Sequence, residues 1–386
     1  MEPQPGKLAL VAEWLFDGRI WREDSAVLIE RGRIHALASW SEVPPEYEKQ
    51  RLPPGAILAP GFIDLQVNGG GGVLLNDAPT AEAMRAIARA HRTFGTTGLL
   101  PTLITDTREK TIAAIAAVRE AAGSDGVLGL HLEGPFINPV RAGVHRKSHI
   151  AQAKMSDLEW LSGLAHAGRS IITLAPECVP AGFIHGLTSR GIRVCAGHSQ
   201  SSAEQMRAAM AEGLTGVTHL FNAMPPFAGR APGIVGSALA DNQITAGLIV
   251  DGLHVDAVSV RAAFRAKGRD GIALVTDAMP SVGAEIARFD LMGTNISLKD
   301  GKLVTDEGTL AGAHLDMASA VRNAVRVAEI PLEDALACAT LTPARFLGLE
   351  KERGAIVSGA RADLVALTED LRVLGTWMNG VRDAAR

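Results

Sequence analysis

The sequence is poor in cysteine and shows no excess of either charge. Its three cysteines form no closely spaced pair, which argues against a disulfide framework or a thiolate zinc site and favours the reducing cytoplasm. Lys and Arg total 38 against 42 Asp and Glu, without a long run of one sign, so no nucleic-acid or anionic-membrane surface is indicated. We therefore expect a small-molecule partner.

Long apolar runs are also missing. No uninterrupted apolar stretch approaches the ~18 residues that a membrane span needs. The N-terminal stretch MEPQPGKLALVAEW lacks the basic region and following apolar region of a signal peptide. The sequence thus predicts a soluble protein without a membrane anchor or a cleaved leader.

The chain is long enough, at 386 residues, for one large domain and one smaller one. Residues 8–60 alternate short apolar runs with Asp-Gly and Arg-Gly turns, a pattern typical of short antiparallel strands. The C-terminal end of the chain returns to this pattern. We predict that residues 1–60 and 351–386 pair into one small β domain.

Residues 61–350 follow a different pattern, in which apolar β-type runs alternate with alanine-rich amphipathic segments. GFIDLQV precedes TAEAMRAIARAHRTF, GLLPTLI precedes REKTIAAIAAVREAA, and the alternation continues as far as GIALVTD. Eight strand-like runs with helical crossovers predict an α/β fold of the (β/α)8 TIM-barrel type rather than an open sheet.

Catalytic residues of such barrels lie at the C-terminal ends of the strands. A carboxylate and two imidazoles at these ends would suit Zn²⁺ or Fe²⁺. Three protein ligands leave one metal position open for a water molecule, and a second carboxylate nearby can take a proton from that water. The polar residues predicted at strand ends are Gln66, Asn68, Glu133, His198, His219, His254 and Asp277.

Two strand ends narrow the choice of hydrolase. Gln66 and Asn68 occupy the positions where many barrel hydrolases carry two metal-binding histidines, and the fourth strand ends in LAPE, without the lysine that binuclear ring-opening enzymes carbamylate. His131 shares a strand face with Glu133 and is another candidate ligand, although a hydrogen-bonding role beside the ligands suits it better.

Seven motifs, in this order, resemble the N-acetylglucosamine-6-phosphate deacetylase family of the amidohydrolase superfamily: APGFIDLQVNG, GLHLEGPFINP, GHS, THLFNAMPP, DGLHV, VTDAMP and TLAG. The resemblance spans nearly the whole chain and implies a (β/α)8 barrel with a small β-sandwich built from both chain ends. One branch of the family binds two metals with two first-strand histidines, whereas the branch with Gln-x-Asn uses one. We therefore expect one divalent metal per chain, Zn²⁺ first, with Fe, Co or Mn as alternatives.

The resemblance also implies roles for individual residues. Gln66 and Asn68 would orient the attacking water or fill the vacated metal position with an ordered water. The metal ligands would be Glu133, His198 and His219, and the catalytic acid/base would be Asp277. The substrate contacts would be Val144, His145, Asn222, Ala223, Arg230, Asp251, Gly252, Leu253, His254, Leu310, Ala311 and Gly312. The sequence departs from the family pattern at Val144, Ala313 and His314. We expect these departures to affect how the substrate fits.

The implied reaction is hydrolysis of N-acetyl-D-glucosamine 6-phosphate to D-glucosamine 6-phosphate and acetate, in amino-sugar catabolism, by a cytoplasmic homodimer. Two other enzyme substrates stay open, namely N-acetylgalactosamine 6-phosphate and an acylated amino acid. Outside enzymes, a barrel without first-strand histidines can bind a sugar phosphate or act as a structural subunit. The complete Glu/His/His/Asp set argues against these last two alternatives.

Overall fold

The computed structural model describes residues 6–383. Residues 1–5, where the predicted leaderless N-terminus begins, and residues 384–386 of the predicted β domain lie outside the described residues. The strands are β1 Leu8–Phe16, β2 Trp21–Glu30, β3 Arg33–Ser39, β4 Glu48–Arg51, β5 Ile57–Pro60, β6 Phe62–Val67, β7 Gly69–Gly70, β8 Val73–Leu74, β9 Thr96–Ile104, β10 His131–Glu133, β11 Ile171–Leu174, β12 Arg193–Ala196, β13 Gly216–Val217, β14 Thr245–Leu248, β15 Ile272–Leu274, β16 Arg288–Leu291, β17 Thr294–Lys299, β18 Lys302–Thr305, β19 Leu364–Leu367, β20 Val373–Met378 and β21 Val381–Arg382. The α-helices are α1 Ala81–Arg92, α2 Arg108–Ala121, α3 Asp157–Leu161, α4 Phe183–Thr188, α5 Ala203–Ala211, α6 Gly233–Ala240, α7 Ala257–Lys267, α8 Met317–Arg326, α9 Leu332–Ala339 and α10 Leu341–Leu347. Within residues 6–383, no helix combines the length and the apolar character that crossing a membrane requires.

Both chain ends contribute to one eight-stranded sheet, because β19 pairs antiparallel with β5. Its apolar core takes residues from both ends, among them Leu10, Ile29, Leu364 and Trp377. The prediction of antiparallel strands is confirmed for β1–β3 and for the β5–β19 pair, but it is wrong for the pairing of β4 and β5 with β1, which is parallel. Parallel neighbouring strands must be joined by a crossover connection. After β3 the chain crosses back to the start of β1, so that β4 runs in the same direction as β1. The exact domain boundaries stay a prediction.

The second eight-stranded sheet contains the barrel strands in chain order, β6 followed by β9 to β15, and all its neighbours are parallel. A bridge between Val67 and Ala278 brings the segment after β15 back to β6, and the backbone N–H of Asp277 donates to Gln66 O at 3.0 Å. The predicted (β/α)8 barrel is therefore confirmed. Its closure places Asp277 beside Gln66.

Local sequence explains why these segments form a barrel. Every residue of β6 and β9 is buried, as expected for parallel strands covered by helices on the outside. The helices begin at recognisable caps: Thr80 accepts from the N–H of Ala83 at α1, and Ser202 with Gln205 forms a capping box at α5. These caps set where α1 and α5 begin.

A small antiparallel sheet, β16–β18, follows the last barrel strand and was not predicted from the sequence. Leu291 and Ile296 of this sheet pack with Leu74, Ile104 and Met279 from the barrel side. The sheet therefore covers the end of the barrel at which the predicted catalytic residues lie.

Candidate active site

Three barrel strand ends bring together the predicted metal ligands. Glu133 ends β10, and His198 and His219 follow β12 and β13. Their ligand atoms all lie within 4.8 Å of one another, and all three residues are buried. Glu133 Oε1 is 3.0 Å from His198 Nε2 and 2.9 Å from His219 Nε2, and the two Nε2 atoms are 3.1 Å apart.

The donor atoms of this cluster fit a cation. His198 Nδ1 lies 2.7 Å from the carbonyl oxygen of Arg141, and because a carbonyl only accepts, Nδ1 carries a proton. When Nε2 carries no proton, its lone pair is directed at Glu133 Oε1, and two acceptors 3.0 Å apart repel unless a positive charge lies between them. A carboxylate and two imidazoles are ligands that suit Zn²⁺ and related divalent ions.

Asp277 lies beside the cluster and is held by the two first-strand amides. Its Oδ1 accepts from Gln66 Nε2 at 3.0 Å and from Asn68 Nδ2 at 2.6 Å. Gln66 Nε2 also lies 3.3 and 3.1 Å from the two carboxylate oxygens of Glu133. Burial is the main cause that raises the pKa of Asp277 to about 6, and the negative charge of the nearby Glu133 carboxylate is the second cause. Gln66 thus connects the two carboxylates of the site, whereas Asn68 bonds only to Asp277.

Three of these residues have a left-handed backbone, with φ of +48° at His198, +33° at His219 and +52° at Asp277. Such a conformation costs a non-glycine residue of order 1–3 kcal/mol and persists only where the surrounding structure enforces it. At Asp277 the N–H donates to Gln66 O at 3.0 Å, and the carbonyl accepts from Ala313 N at 2.9 Å. These bonds aim the side chain at the cluster.

A cavity of about 370 Å³ opens over the cluster. The metal-ligand candidates, Asn68 and Asp277 line it, and so do seven of the predicted substrate contacts: Val144, His145, Asn222, Ala223, His254, Leu310 and Gly312. Ala311 is buried, and Arg230 is exposed and is not among the lining residues.

Comparisons with known proteins identify the family. The amidohydrolase family model matches residues 57–382. The chain belongs to the amidohydrolase family. It is 42% identical over 367 residues to the N-acetylgalactosamine-6-phosphate deacetylase of Shewanella sp. (strain ANA-3), covering 93% of this chain and 91% of the relative. It is 36% identical over 366 residues to the N-acetylglucosamine-6-phosphate deacetylase of Haemophilus influenzae, covering 92% of this chain and 94% of that one.

A solved structure agrees with this assignment. The N-acetylglucosamine-6-phosphate deacetylase of Pasteurella multocida superposes with a TM-score of 0.94 at 36% identity, over 98% of this chain and 100% of that one. The resemblance recognised in the motifs is therefore confirmed. As an amidohydrolase, the chain is a hydrolase acting on an amide bond, which counts against the non-enzymatic alternatives.

Two further histidines of this amidohydrolase, His145 and His254, line the cavity. His145 Nδ1 lies 2.8 Å from Thr105 Oγ1 and 3.4 Å from the backbone nitrogen of Thr105. Burial and the neighbouring His198 hold the pKa of His145 well below its usual value, so the ring stays neutral. His254 Nδ1 lies 2.6 Å from Asp251 Oδ2 and donates to it. The predicted Asp251–Leu253 segment therefore orients His254 and is not itself among the cavity-lining residues.

His131 lies outside the cluster. Its Nε2 is 2.7 Å from Thr173 Oγ1 and its Nδ1 is 3.4 Å from Thr102 Oγ1, inside the barrel. Burial lowers the pKa of His131 to about 4. Its hydrogen bonds go to threonines of the neighbouring strands and not to a metal-ligand candidate.

Sequence reasoning missed Glu177, the residue that anchors the His198 loop. The Glu177 carboxylate accepts from Ser199 Oγ at 2.7 Å, from Ser201 Oγ at 2.6 Å and from the N–H of Gln200 at 2.6 Å. The signal was present, because a strand-end carboxylate in LAPE accompanies the donor-rich stretch HSQSS. Arg141, another cavity residue, was also missed.

Proposed function

We propose that this amidohydrolase hydrolyses the acetamide of an N-acetylhexosamine 6-phosphate, with N-acetyl-D-glucosamine 6-phosphate as the first substrate. The products would be the amino-sugar 6-phosphate and acetate, in amino-sugar catabolism. The observation that carries the proposal is the buried Glu133/His198/His219 cluster with Asp277 beside it in one cavity. One divalent metal per chain, Zn²⁺ first, would be held by that cluster.

A bound divalent metal would supply Lewis-acid polarisation of the amide carbonyl and lower the pKa of water at the site. Asp277 takes the proton of the attacking water. A general base works best when its pKa lies near the working pH, and burial raises the pKa of Asp277 to about 6. Asp277 then returns the proton to the amide nitrogen, because an amine leaves far more readily when protonated.

Gln66 and Asn68 hold Asp277 in place for both proton transfers. Each amide donates to Oδ1, which restricts rotation of the carboxylate. Because the two amides fix the position of Asp277, they would also orient the attacking water that Asp277 contacts. His145, whose ring stays neutral, lines the cavity and would contact the developing oxyanion or a sugar hydroxyl.

The phosphate would be bound at the opposite end of the substrate from the amide. Asn222, Ala223 and His254 line the cavity, and we propose that the backbone of the first two and the ring of His254 contact phosphate oxygens. Arg230 is exposed in its own chain, so it would reach a phosphate from a neighbouring subunit. The proposed working unit is therefore a homodimer. A cytoplasmic location is supported by three free cysteines.

N-acetylgalactosamine 6-phosphate is the second candidate substrate. The observation that favours it is the 42% identity to the Shewanella N-acetylgalactosamine-6-phosphate deacetylase, against 36% to the Haemophilus enzyme. The two sugars differ only in the configuration at one hydroxyl-bearing carbon, so the acetamide chemistry is the same for both.

Acetate release tests the proposal. Purified protein loaded with Zn²⁺ is assayed with the 6-phosphates of N-acetylglucosamine and N-acetylgalactosamine, with both unphosphorylated sugars and with an N-acetylated amino acid. We expect the phosphorylated sugars to be preferred and a chelator to abolish turnover. Preference for the amino acid, or no acetate from any sugar phosphate, would contradict the proposal.

A further inference from the structure

Asp64 is a carboxylic acid inside the barrel that has no part in the mechanism described so far. It belongs to β6, two residues before Gln66, and its side chain is fully buried. Burying a carboxyl group is costly unless hydrogen bonds satisfy it. The partners of Asp64 therefore indicate what the group holds in place.

The hydrogen bonds of Asp64 join β6 to the segment that follows β15. Asp64 Oδ2 accepts from Thr276 Oγ1 at 2.6 Å. Asp64 Oδ1 accepts from the N–H of Thr276 at 3.3 Å and from the N–H of Gln66 at 3.2 Å. One side chain thus binds the residue immediately before Asp277 and the backbone of Gln66, whose amide donates to Asp277.

Thr276 extends this network to the other side of Asp277. Its Oγ1 accepts from the N–H of Ala278 at 3.2 Å. Because β15 ends at Leu274, these residues lie beyond the regular strand. The N–H groups on both sides of Asp277 are therefore satisfied by the side chains of Asp64 and Thr276 instead of by a strand ladder.

The residue between these two fixed neighbours is the one with the unfavourable backbone. Asp277 has a φ of +52°, a conformation that a non-glycine residue keeps only where its surroundings enforce it. Asp64 and Thr276 are both fully buried, and neither is among the residues that line the active-site cavity. They act on Asp277 through its backbone and do not touch the substrate.

We propose that Asp64 and Thr276 are positioning residues that hold Asp277 in its left-handed conformation, with its carboxylate at the Glu133/His198/His219 cluster. This inference rests on the proposed function, in which Asp277 carries the proton of the attacking water. Proton transfer depends on the placement of the carboxylate to within a fraction of an ångström, whereas substrate binding uses other residues. Loss of the network should therefore lower kcat and leave KM nearly unchanged.

Thr276→Val, Thr276→Ser and Thr96→Val test the hydroxyl group. Valine has a similar shape but no hydroxyl, serine keeps the hydroxyl, and Thr96 is the control because its Oγ1 is buried and has no hydrogen-bond partner within residues 6–383. With metal-loaded protein and N-acetylglucosamine 6-phosphate, we expect Thr276→Val to lower kcat about 10- to 100-fold, with KM within about twofold of wild type. Thr276→Ser should recover most of kcat, and Thr96→Val should match wild type.

Asp64→Asn and Asp64→Leu test the carboxyl group. The asparagine oxygen can accept the two N–H bonds while its NH₂ donates to Thr276 Oγ1, which can then donate to Gln66 O, 3.4 Å away. Asp64→Asn should thus keep most of kcat, whereas Asp64→Leu should lose as much as Thr276→Val. Thr276→Val decides the question if Asp64→Leu does not fold.

A crystal structure of Thr276→Val provides a measurement that is independent of activity. The distance from Asn68 Nδ2 to Asp277 Oδ1, 2.6 Å in the wild type, should exceed about 3.5 Å, and metal per chain should be unchanged. Wild-type kcat in Thr276→Val, an equal loss in Thr276→Ser, or an Asp277 carboxylate in its wild-type position would overturn the proposal. Failure of the proposed function is distinct, since wild-type protein would then release no acetate from any sugar phosphate.

Discussion

Asn68 Nδ2 donates a 2.6 Å hydrogen bond to Asp277 Oδ1, so the first barrel strand binds the candidate acid/base. Gln66, two residues earlier on the same strand face, donates to Asp277 and lies against Glu133 as well. The two amides therefore fix the position of the Asp277 carboxylate. The proposed proton carrier is thus anchored separately from the Glu133/His198/His219 cluster.

Asp277→Asn should lower turnover by at least ~100-fold, the lower end of typical general acid/base contributions. An amide cannot take a proton from water at neutral pH, whereas its size preserves the cavity. Metal content by elemental analysis and substrate binding by calorimetry should stay close to wild type. Near-normal turnover would show that another group moves the proton.

The pair Gln66→His and Asn68→His should create a second metal site. Two imidazoles supply the donors that neutral amides lack, so the double variant should take up a second ion when metal is abundant, while dialysed wild type keeps about one per chain. Activity need not rise, because the surrounding hydrogen bonds were not arranged for that ion. The matched control changes the same residues to alanine and should not gain metal. Two tightly held ions in active wild type would contradict the one-metal assignment.

Glu177→Gln should weaken metal binding by roughly 10–100-fold, the usual effect of losing a group that orients a ligand. The carboxylate accepts four hydrogen bonds from the loops around His198, including one from Asn138 Nδ2 at 3.0 Å, and an amide cannot accept them all. Competition with a fluorescent chelator measures the affinity. The control is Glu212→Gln, because Glu212 accepts from backbone N–H groups of α4 and lies outside the site. Equal metal affinity in wild type and Glu177→Gln would refute the role.

Arg230→Ala should reduce the preference for phosphorylated over plain N-acetylglucosamine if a neighbouring subunit contributes this residue. The effect should appear mainly in KM, since a guanidinium binds the phosphate far from the reacting amide. Light scattering should show a dimer for the wild type and the variant. Arg207→Ala, another exposed arginine, is the control. A preference ratio equal to wild type would assign Arg230 to the surface.

Asp64 should make stability depend on pH. The side chain is fully buried and accepts from Thr276 Oγ1 at 2.6 Å, and burial raises its pKa from 3.8 to about 7. Because the folded pKa is raised, the stabilisation by protonated Asp64 is complete below the unfolded pKa and is lost as pH rises through about 7. Asp64→Asn removes this titration and keeps a side chain of similar shape. Denaturant unfolding from pH 4 to pH 8 should show the wild type losing stability relative to the variant, and parallel curves would contradict the assignment.

The sequence by itself determined the alternation of strands and helices, because apolar periodicity follows directly from which face of each segment is buried. Once a barrel was indicated, chain position alone put Glu133, His198, His219 and Asp277 at the same end, and the structure agrees. The pairing of both chain ends was also readable from their shared strand pattern.

Tertiary structure decided what depends on contacts between distant segments. The sequence could not show that β4 and β5 lie parallel to β1, that β16–β18 cover the site, or that Arg141 lines the cavity while Arg230 is exposed. Nor could it show that Asn68 bonds to Asp277, 209 residues further along the chain. Local propensity carries no information about such pairs, since their geometry is set only when the barrel closes.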